Sequence, residues 1–119
     1  MKVRTQLGAA LLVIGGVAVS ACGGDEGEPT GSTCPSDSTL TYANFGEEFF
    51  RTNCLACHAA TGPESPKFDT VDQIRAHSSE IDKEAAAGPN GVNTAMPDGG
   101  SVAEAERRKL GEWLACGAR

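Results

Sequence analysis

The run Cys54-Leu55-Ala56-Cys57-His58 is the feature that most constrains this chain. On a helix its two thiols lie about one turn apart, and the imidazole is their immediate neighbour. C-x-x-C-H is the attachment signature of c-type haem, in which both thiols bind the vinyl groups and the histidine is an axial iron ligand. The motif predicts one covalently bound haem c held by Cys54, Cys57 and His58.

Three other interpretations of the motif use the same side chains. A thioredoxin-like redox dithiol is expected within a βαβ pattern, and none surrounds the motif. A zinc site could recruit His77, but the sequence has no second C-x-x-C and no H-x-x-x-H to complete it. A disulfide between Cys54 and Cys57 would close a short loop and add little stability.

The N-terminal segment has the composition of an export signal. Lys2 and Arg4 precede an apolar run, Leu7 to Val19, which is too short and too rich in glycine for a membrane-spanning helix. Val19-Ser20-Ala21-Cys22 resembles a bacterial lipobox, where cleavage precedes an acylated cysteine. We expect residues 1–21 to be a signal peptide and Cys22 to carry lipid. An ordinary secretory signal with an incidental cysteine is the alternative.

The exported part of the chain is acidic. The sequence has 16 Asp and Glu against 10 Lys and Arg, and loss of Lys2 and Arg4 leaves a net charge of −8. Such a balance disfavours nucleic acid as a partner and favours a soluble surface or basic protein partners. Residues 23–33 lack large apolar side chains and are rich in Gly, Pro and acids, so we expect residues 22–38 to form a flexible tether.

Residues 39–119 are expected to form one all-α domain. Helical spacing of aromatic residues predicts a helix from Thr39 to Thr52, ending just before the haem motif. Thr70 and Gln73 have the spacing of a capping box and predict a short helix with Val71 and Ile74 inward. A further short turn is predicted from Ser79 to Ala87, and no alternating strand pattern is visible.

A terminal helix is predicted from a second capping-box spacing, Ser101 with Glu104, and it should end at Gly117. The apolar residues expected on one side of this helix are Val102, Leu110, Trp113 and Leu114. Large apolar side chains are few for a domain of roughly 85 residues, and small domains often need a staple or a cofactor to bury enough surface. A haem would supply the missing core.

The pattern Gly46-x-x-x-Phe50-x-x-x-Cys54-x-x-Cys57-His58 is similar to that of class I cytochrome c proteins of bacterial envelopes. The resemblance extends from about Leu40 to Gly117. It implies a small cytochrome c fold in which the N- and C-terminal helices pack across each other around one haem. It also implies that Gly46 permits the close helix crossing, that Phe50 packs beside the haem, and that Trp113 is the aromatic of the terminal helix.

The resemblance also supplies a sixth iron ligand. Met96-Pro97 resembles the methionine motif of the family, so Met96 is expected to bind iron opposite His58. His77 is the alternative sixth ligand, although a surface or packing role is expected for it. In the family a carbonyl of a Gly-Pro loop accepts the imidazole N–H; here Gly62-Pro63 comes early and Pro66 follows, so the acceptor is left open.

The function implied is a single-electron carrier, not an enzyme, lipid-anchored in the cell envelope and facing the periplasm or the cell exterior. Its partners would be redox proteins that bind transiently, because electron-transfer encounters bury little surface. Two alternatives stay open. An open iron site, without methionine ligation, would suit gas sensing or peroxidase-like chemistry, and a chain without haem would be a structural lipoprotein.

Two cysteines remain once lipid and haem are assigned. Cys34 lies at the end of the expected tether and Cys116 near the end of the terminal helix. In an exported protein such a pair is expected to be oxidised. Because the family packs its first and last helices together, we expect a disulfide between Cys34 and Cys116. Free thiols, or a bond between two chains through Cys34, are the alternatives.

Overall fold

The computed structural model describes residues 26–119 of the chain. The predicted signal peptide, residues 1–21, and the predicted lipidation site Cys22 lie outside this part. No helix among the described residues is long and apolar enough to cross a membrane. Helices account for 45% of the described structure and strands for 4%, which confirms the mostly helical class.

The first helix begins as a π-helical turn, Tyr42–Gly46, and continues as α1, Glu47–Asn53. It starts later than predicted because Thr41 is extended and caps it: Asn44 N–H donates to Thr41 Oγ1 at 3.2 Å, and Asn44 Oδ1 accepts from Thr41 N–H at 2.8 Å. Phe45, Phe49 and Phe50 are buried, so the aromatic face predicted for this helix is its core face.

Three short helices follow: α2, Leu55–His58; α3, Val71–Ala76; and α4, Ser78–Ala85. The capping box of α3 is confirmed, since Gln73 N–H donates to Thr70 Oγ1 at 3.2 Å and Thr70 N–H donates to Gln73 Oε1 at 3.0 Å. Ile74 is fully buried and Val71 packs against the core, as predicted. The turn predicted from Ser79 to Ala87 corresponds to α4.

A small antiparallel hairpin corrects the purely all-α prediction. Strands β1, Ala87–Gly88, and β2, Gly91–Val92, pair Ala87 with Val92 and Gly88 with Gly91. Pro89 and Asn90 form the connecting turn, in keeping with their turn propensity. Two-residue strands are too short to show an alternating pattern, which is why the sequence indicated only a loop here.

The last helix, α5, spans Glu104–Ala115. The predicted capping box at Ser101 is wrong, because Ala103 is the N-cap and no side chain caps the helix. Residue 102 is held outside the helix: Val102 packs against the core, and its carbonyl accepts a hydrogen bond from Arg107 Nε at 3.3 Å. Leu110, Trp113 and Leu114 are buried, as predicted for the apolar side of this helix.

The indole of Trp113 in the last helix packs against Gly46 of the first helix. A Cβ atom at Gly46 would lie 2.5 Å from Trp113 Cζ2, so only glycine admits the indole here. The indole also packs against Phe45 and Phe50, with ring centroids 6.0 and 6.2 Å away. Glycine at position 46 thus lets the indole approach the backbone of the first helix, and the crossing of the two helices expected of a cytochrome c fold stays a prediction.

Residues 27–32, which lie within the stretch expected to be a tether, form an N-terminal strap against the folded domain. Thr30 is 1% exposed, and its N–H and Oγ1–H donate to the Asp82 carboxylate at 2.8 and 2.6 Å. Gly27 N–H donates to the Lys83 carbonyl at 3.1 Å. The strap is held by hydrogen bonds and not by apolar side chains. For this reason its amino-acid composition is the same as that of a linker.

The structure joins Cys34 and Cys116 as a disulfide, with Cα atoms 4.8 Å apart and a sequence separation of 82. The bond fastens the chain ahead of the first helix to the end of α5. Beside it, Tyr42 N–H and Trp113 Nε1–H both donate to the Arg119 carbonyl, at 2.6 and 3.1 Å. The expected pairing and the geometry therefore agree.

Loss of this disulfide should destabilise the protein strongly. In the chain-entropy model a loop of this length contributes about 4.5 kcal/mol to the free energy of unfolding. We expect a Cys34→Ser, Cys116→Ser variant to lose much of that amount in urea unfolding. Alkylation of the denatured, unreduced wild type should leave both cysteines unlabelled; label on both, or a linked peptide pair found only in a dimer, would contradict the bond.

Candidate haem-attachment site

The C-x-x-C-H motif is held on a single helical turn. Cys54 ends α1 and begins α2, and its carbonyl accepts from Cys57 N–H at 3.2 Å and from His58 N–H at 2.9 Å. Cys54 is partly buried and Cys57 is exposed, and neither is in a disulfide. Both thiols and the imidazole therefore come from one rigid segment at the end of the first helix.

The imidazole of His58 is oriented by a backbone carbonyl. Its Nδ1 lies 2.7 Å from the Pro66 oxygen, which answers the question that the sequence left open. A carbonyl only accepts hydrogen bonds, so Nδ1 carries the proton and Nε2 keeps its lone pair. This is the tautomer of a metal-ligating histidine whose second nitrogen is anchored by the protein.

The segment after the motif folds back onto it. The His58 carbonyl accepts from Phe68 N–H at 2.9 Å, and the Cys57 carbonyl accepts from Glu64 N–H at 2.9 Å. These bonds place Pro66 beside the His58 ring. The carbonyl of Pro66 therefore lies in a loop whose two ends, at Glu64 and Phe68, bond to the backbone of the motif.

Phe68 is a site residue that the sequence reasoning missed. Its ring centroid lies 5.0 Å from that of His58 and 5.4 Å from that of Phe50. Phe50 is 1% exposed and connects this pair to the core. Phe68 is the only aromatic residue between His58 and Trp113, which is a signal that could have found it.

The main chain of Met96 is held by α4 and α5, not by the segment that carries the C-x-x-C-H motif. Its N–H donates to the Glu84 carbonyl at 2.8 Å, and its carbonyl accepts from Arg107 Nη1 at 2.7 Å. Its side chain is 39% exposed. The structure thus fixes the Met96 main chain and leaves the thioether partly in solvent, and iron ligation stays a prediction.

His77 lies between α3 and α4. Its Nδ1 is 2.8 Å from Glu80 Oε2, and its ring packs edge-on to Phe68 with centroids 6.2 Å apart. When the His77 ring is protonated, its Nδ1 forms an ion pair with the Glu80 carboxylate. These contacts suit the packing role expected for His77.

Burial distinguishes the two thiols chemically. It raises the pKa of the Cys54 thiol to about 12, because the thiolate would lose its hydration. A reactive dithiol needs a thiolate at neutral pH, which a lowered pKa supplies. The environment of Cys54 therefore opposes the thioredoxin-like interpretation.

Comparisons with family models, with curated proteins and with solved structures give no significant match to this chain. Within residues 26–119, no group of three or more His, Cys, Asp and Glu side chains is placed to hold a metal ion. The assignment of function therefore rests on the motif, its local geometry and the chemistry that they allow.

Proposed function

We propose that this chain is a monohaem c-type cytochrome that carries single electrons in the cell envelope. The observation that carries the proposal is the His58 ring: it follows two free cysteines on one helical turn, and its Nδ1 is held by the Pro66 carbonyl at 2.7 Å. That hydrogen bond leaves Nε2 as the ligating atom. The residues of the motif therefore fit a haem that is attached covalently and ligated on one side.

Each residue has a defined part in this proposal. Cys54 and Cys57 form the two thioethers, His58 is the proximal ligand, and Met96 is the sixth ligand. A bound haem supplies an iron that gains and loses one electron, and a thioether opposite histidine raises its reduction potential. The ring of Phe68 packs against His58 and against the buried Phe50, so it would lie beside a haem held by His58.

The fold is proposed to be that of a small cytochrome c. Support comes from the contact between Gly46 of the first helix and Trp113 of the last, and from the C-x-x-C-H motif at the end of the first helix. The disulfide between Cys34 and Cys116 fastens the chain ahead of the first helix to the end of α5.

The location and partners belong to the same proposal. A lipid on Cys22 would anchor the protein to a membrane, facing the periplasm or the cell exterior. With a net charge of −8 after loss of residues 1–21, the surface favours basic redox partners that bind transiently and less tightly at high salt.

Spectroscopy and redox titration of the purified protein test the electron-carrier role. We expect a low-spin, six-coordinate ferric haem and reversible reduction by one electron. The partly exposed side chain of Met96 keeps one rival in play, a haem with an open iron site. A high-spin ferric spectrum with rapid peroxide turnover would favour that rival, and protein without covalent haem would favour a structural lipoprotein.

A further inference from the structure

Arg107 is a buried cation in the first turn of the last helix. It is 3% exposed, although arginine is rarely buried without a charged partner. The ion pairs found among residues 26–119 do not include it. Burial lowers the pKa of Arg107, but a guanidinium remains protonated at neutral pH.

Backbone carbonyls take the place of a carboxylate around this side chain. Nη1 donates to the carbonyls of Ala85 at 2.7 Å, Asn93 at 3.0 Å and Met96 at 2.7 Å. Nε donates to the Val102 carbonyl at 3.3 Å. The planar guanidinium of Arg107 holds two nitrogens, Nη1 and Nε, on their acceptors at once, whereas a lysine offers a single nitrogen on a flexible stem.

These acceptors come from the segment that carries the proposed sulfur ligand. Ala85 ends α4, Asn93 follows β2, and Met96 lies in the loop ahead of α5. Met96 is bonded on both sides of its backbone, through its N–H to the Glu84 carbonyl and through its own carbonyl to Arg107. Arg107 therefore links the last helix directly to the main chain of Met96.

We propose that Arg107 is a positioning residue for Met96, holding its main chain so that the thioether stays on the iron. This inference rests on the function proposed above. A thioether is a neutral and readily displaced ligand, so retention depends on how firmly the protein holds the loop. With the carbonyl of Met96 released, external ligands should compete more successfully for the iron.

Arg107→Lys in the holoprotein tests the inference, with Arg108→Lys as the matched control. Arg108 is exposed on the same helix, and it bonds to Glu104 Oε1 and to the Gly88 carbonyl rather than to the loop that carries Met96. The readout is the dissociation constant of imidazole for the ferric protein, followed through the far-red sulfur-to-iron band. We expect Arg107→Lys to bind imidazole about 10-fold more tightly, the lower end of the effect seen when a support of a metal ligand is removed. Arg108→Lys should match the wild type.

The outcomes separate this inference from the proposed function. Wild type without covalent haem would overturn both. Covalent haem with the sulfur band, but with equal imidazole binding in wild type and Arg107→Lys, would overturn only the role of Arg107. Hydrogen exchange distinguishes this role from a general contribution to stability. We expect Arg107→Lys to speed exchange at the Met96 amide more than at the Ile74 amide. Equal acceleration at both amides would overturn the inference.

If Arg107→Lys does not yield folded holoprotein, the wild type decides. In the ferrous protein, the Arg107 Nη protons should exchange slowly with solvent and show nuclear Overhauser effects to the 93–96 loop. Displacement of the sulfur by imidazole should then accelerate their exchange. Nη protons that exchange rapidly, or at a rate that imidazole leaves unchanged, would overturn the proposal.

Discussion

A Cys54→Ala, Cys57→Ala variant should lose covalent haem completely and, with it, most of its folded structure. The side chains that are large and fully buried are few; they are Trp113, Phe50, Ile74, Leu110 and Thr30. A core of this size is marginal for so short a chain, and a bound cofactor stabilises only the folded state. Acid-acetone extraction and far-ultraviolet circular dichroism measure the two losses.

The matched control is Cys34→Ala, Cys116→Ala, which removes the same number of cysteines. It should be less stable than the wild type but should retain its haem through extraction, because neither residue belongs to the motif. If haem survived extraction in the Cys54→Ala, Cys57→Ala variant, the attachment site would be wrong. If that variant kept the wild-type helical signal without haem, the argument from core size would be wrong.

Met96→Ala should abolish the far-red sulfur-to-iron band of the ferric protein and lower the reduction potential. Met96 is the only methionine after Met1, so no other methionine within the domain could take its place. Loss of the thioether removes the ligand that raises the potential. We expect the band to disappear completely in Met96→Ala, so the absorption spectrum of the ferric variant measures the loss directly.

The control for Met96 is His77→Ala. His77 contacts Glu80 and Phe68, and its removal should leave the band and the spin state unchanged. A wild type without the band, together with a high-spin ferric iron in His77→Ala, would identify His77 as the sixth ligand. A wild type that is already high-spin would favour the open iron site.

The sequence predicted helices correctly where they depend on residues close together in the chain. The capping box at Thr70 and Gln73 formed as expected, and the aromatic spacing before Cys54 identified the buried face of the first helix. Ser101 shows the limit of such signals. Its spacing to Glu104 was correct, but Val102 is held by tertiary contacts with the core and Arg107, so the helix begins later.

Other features of the structure depend on contacts between residues distant in sequence. Thr30 of the strap is buried and bonds to Asp82 of α4. A linker-like composition does not reveal a partner 52 residues away. The choice of Pro66 as the acceptor for His58 depends on how the loop folds back, and the burial of Arg107 depends on three backbone segments converging. Propensity and periodicity describe one segment at a time, so they could not predict these contacts.

Mass measurement of the chain, produced with a haem-attachment system, tests the central claim most directly. Trypsin should release a peptide of residues 52–67, which contains Cys54, Cys57 and His58. We expect this peptide to carry the mass of one haem, joined through both thiols, and no other peptide to carry any. The same peptide at its unmodified mass, or with Cys54 and Cys57 joined to each other, would contradict the account.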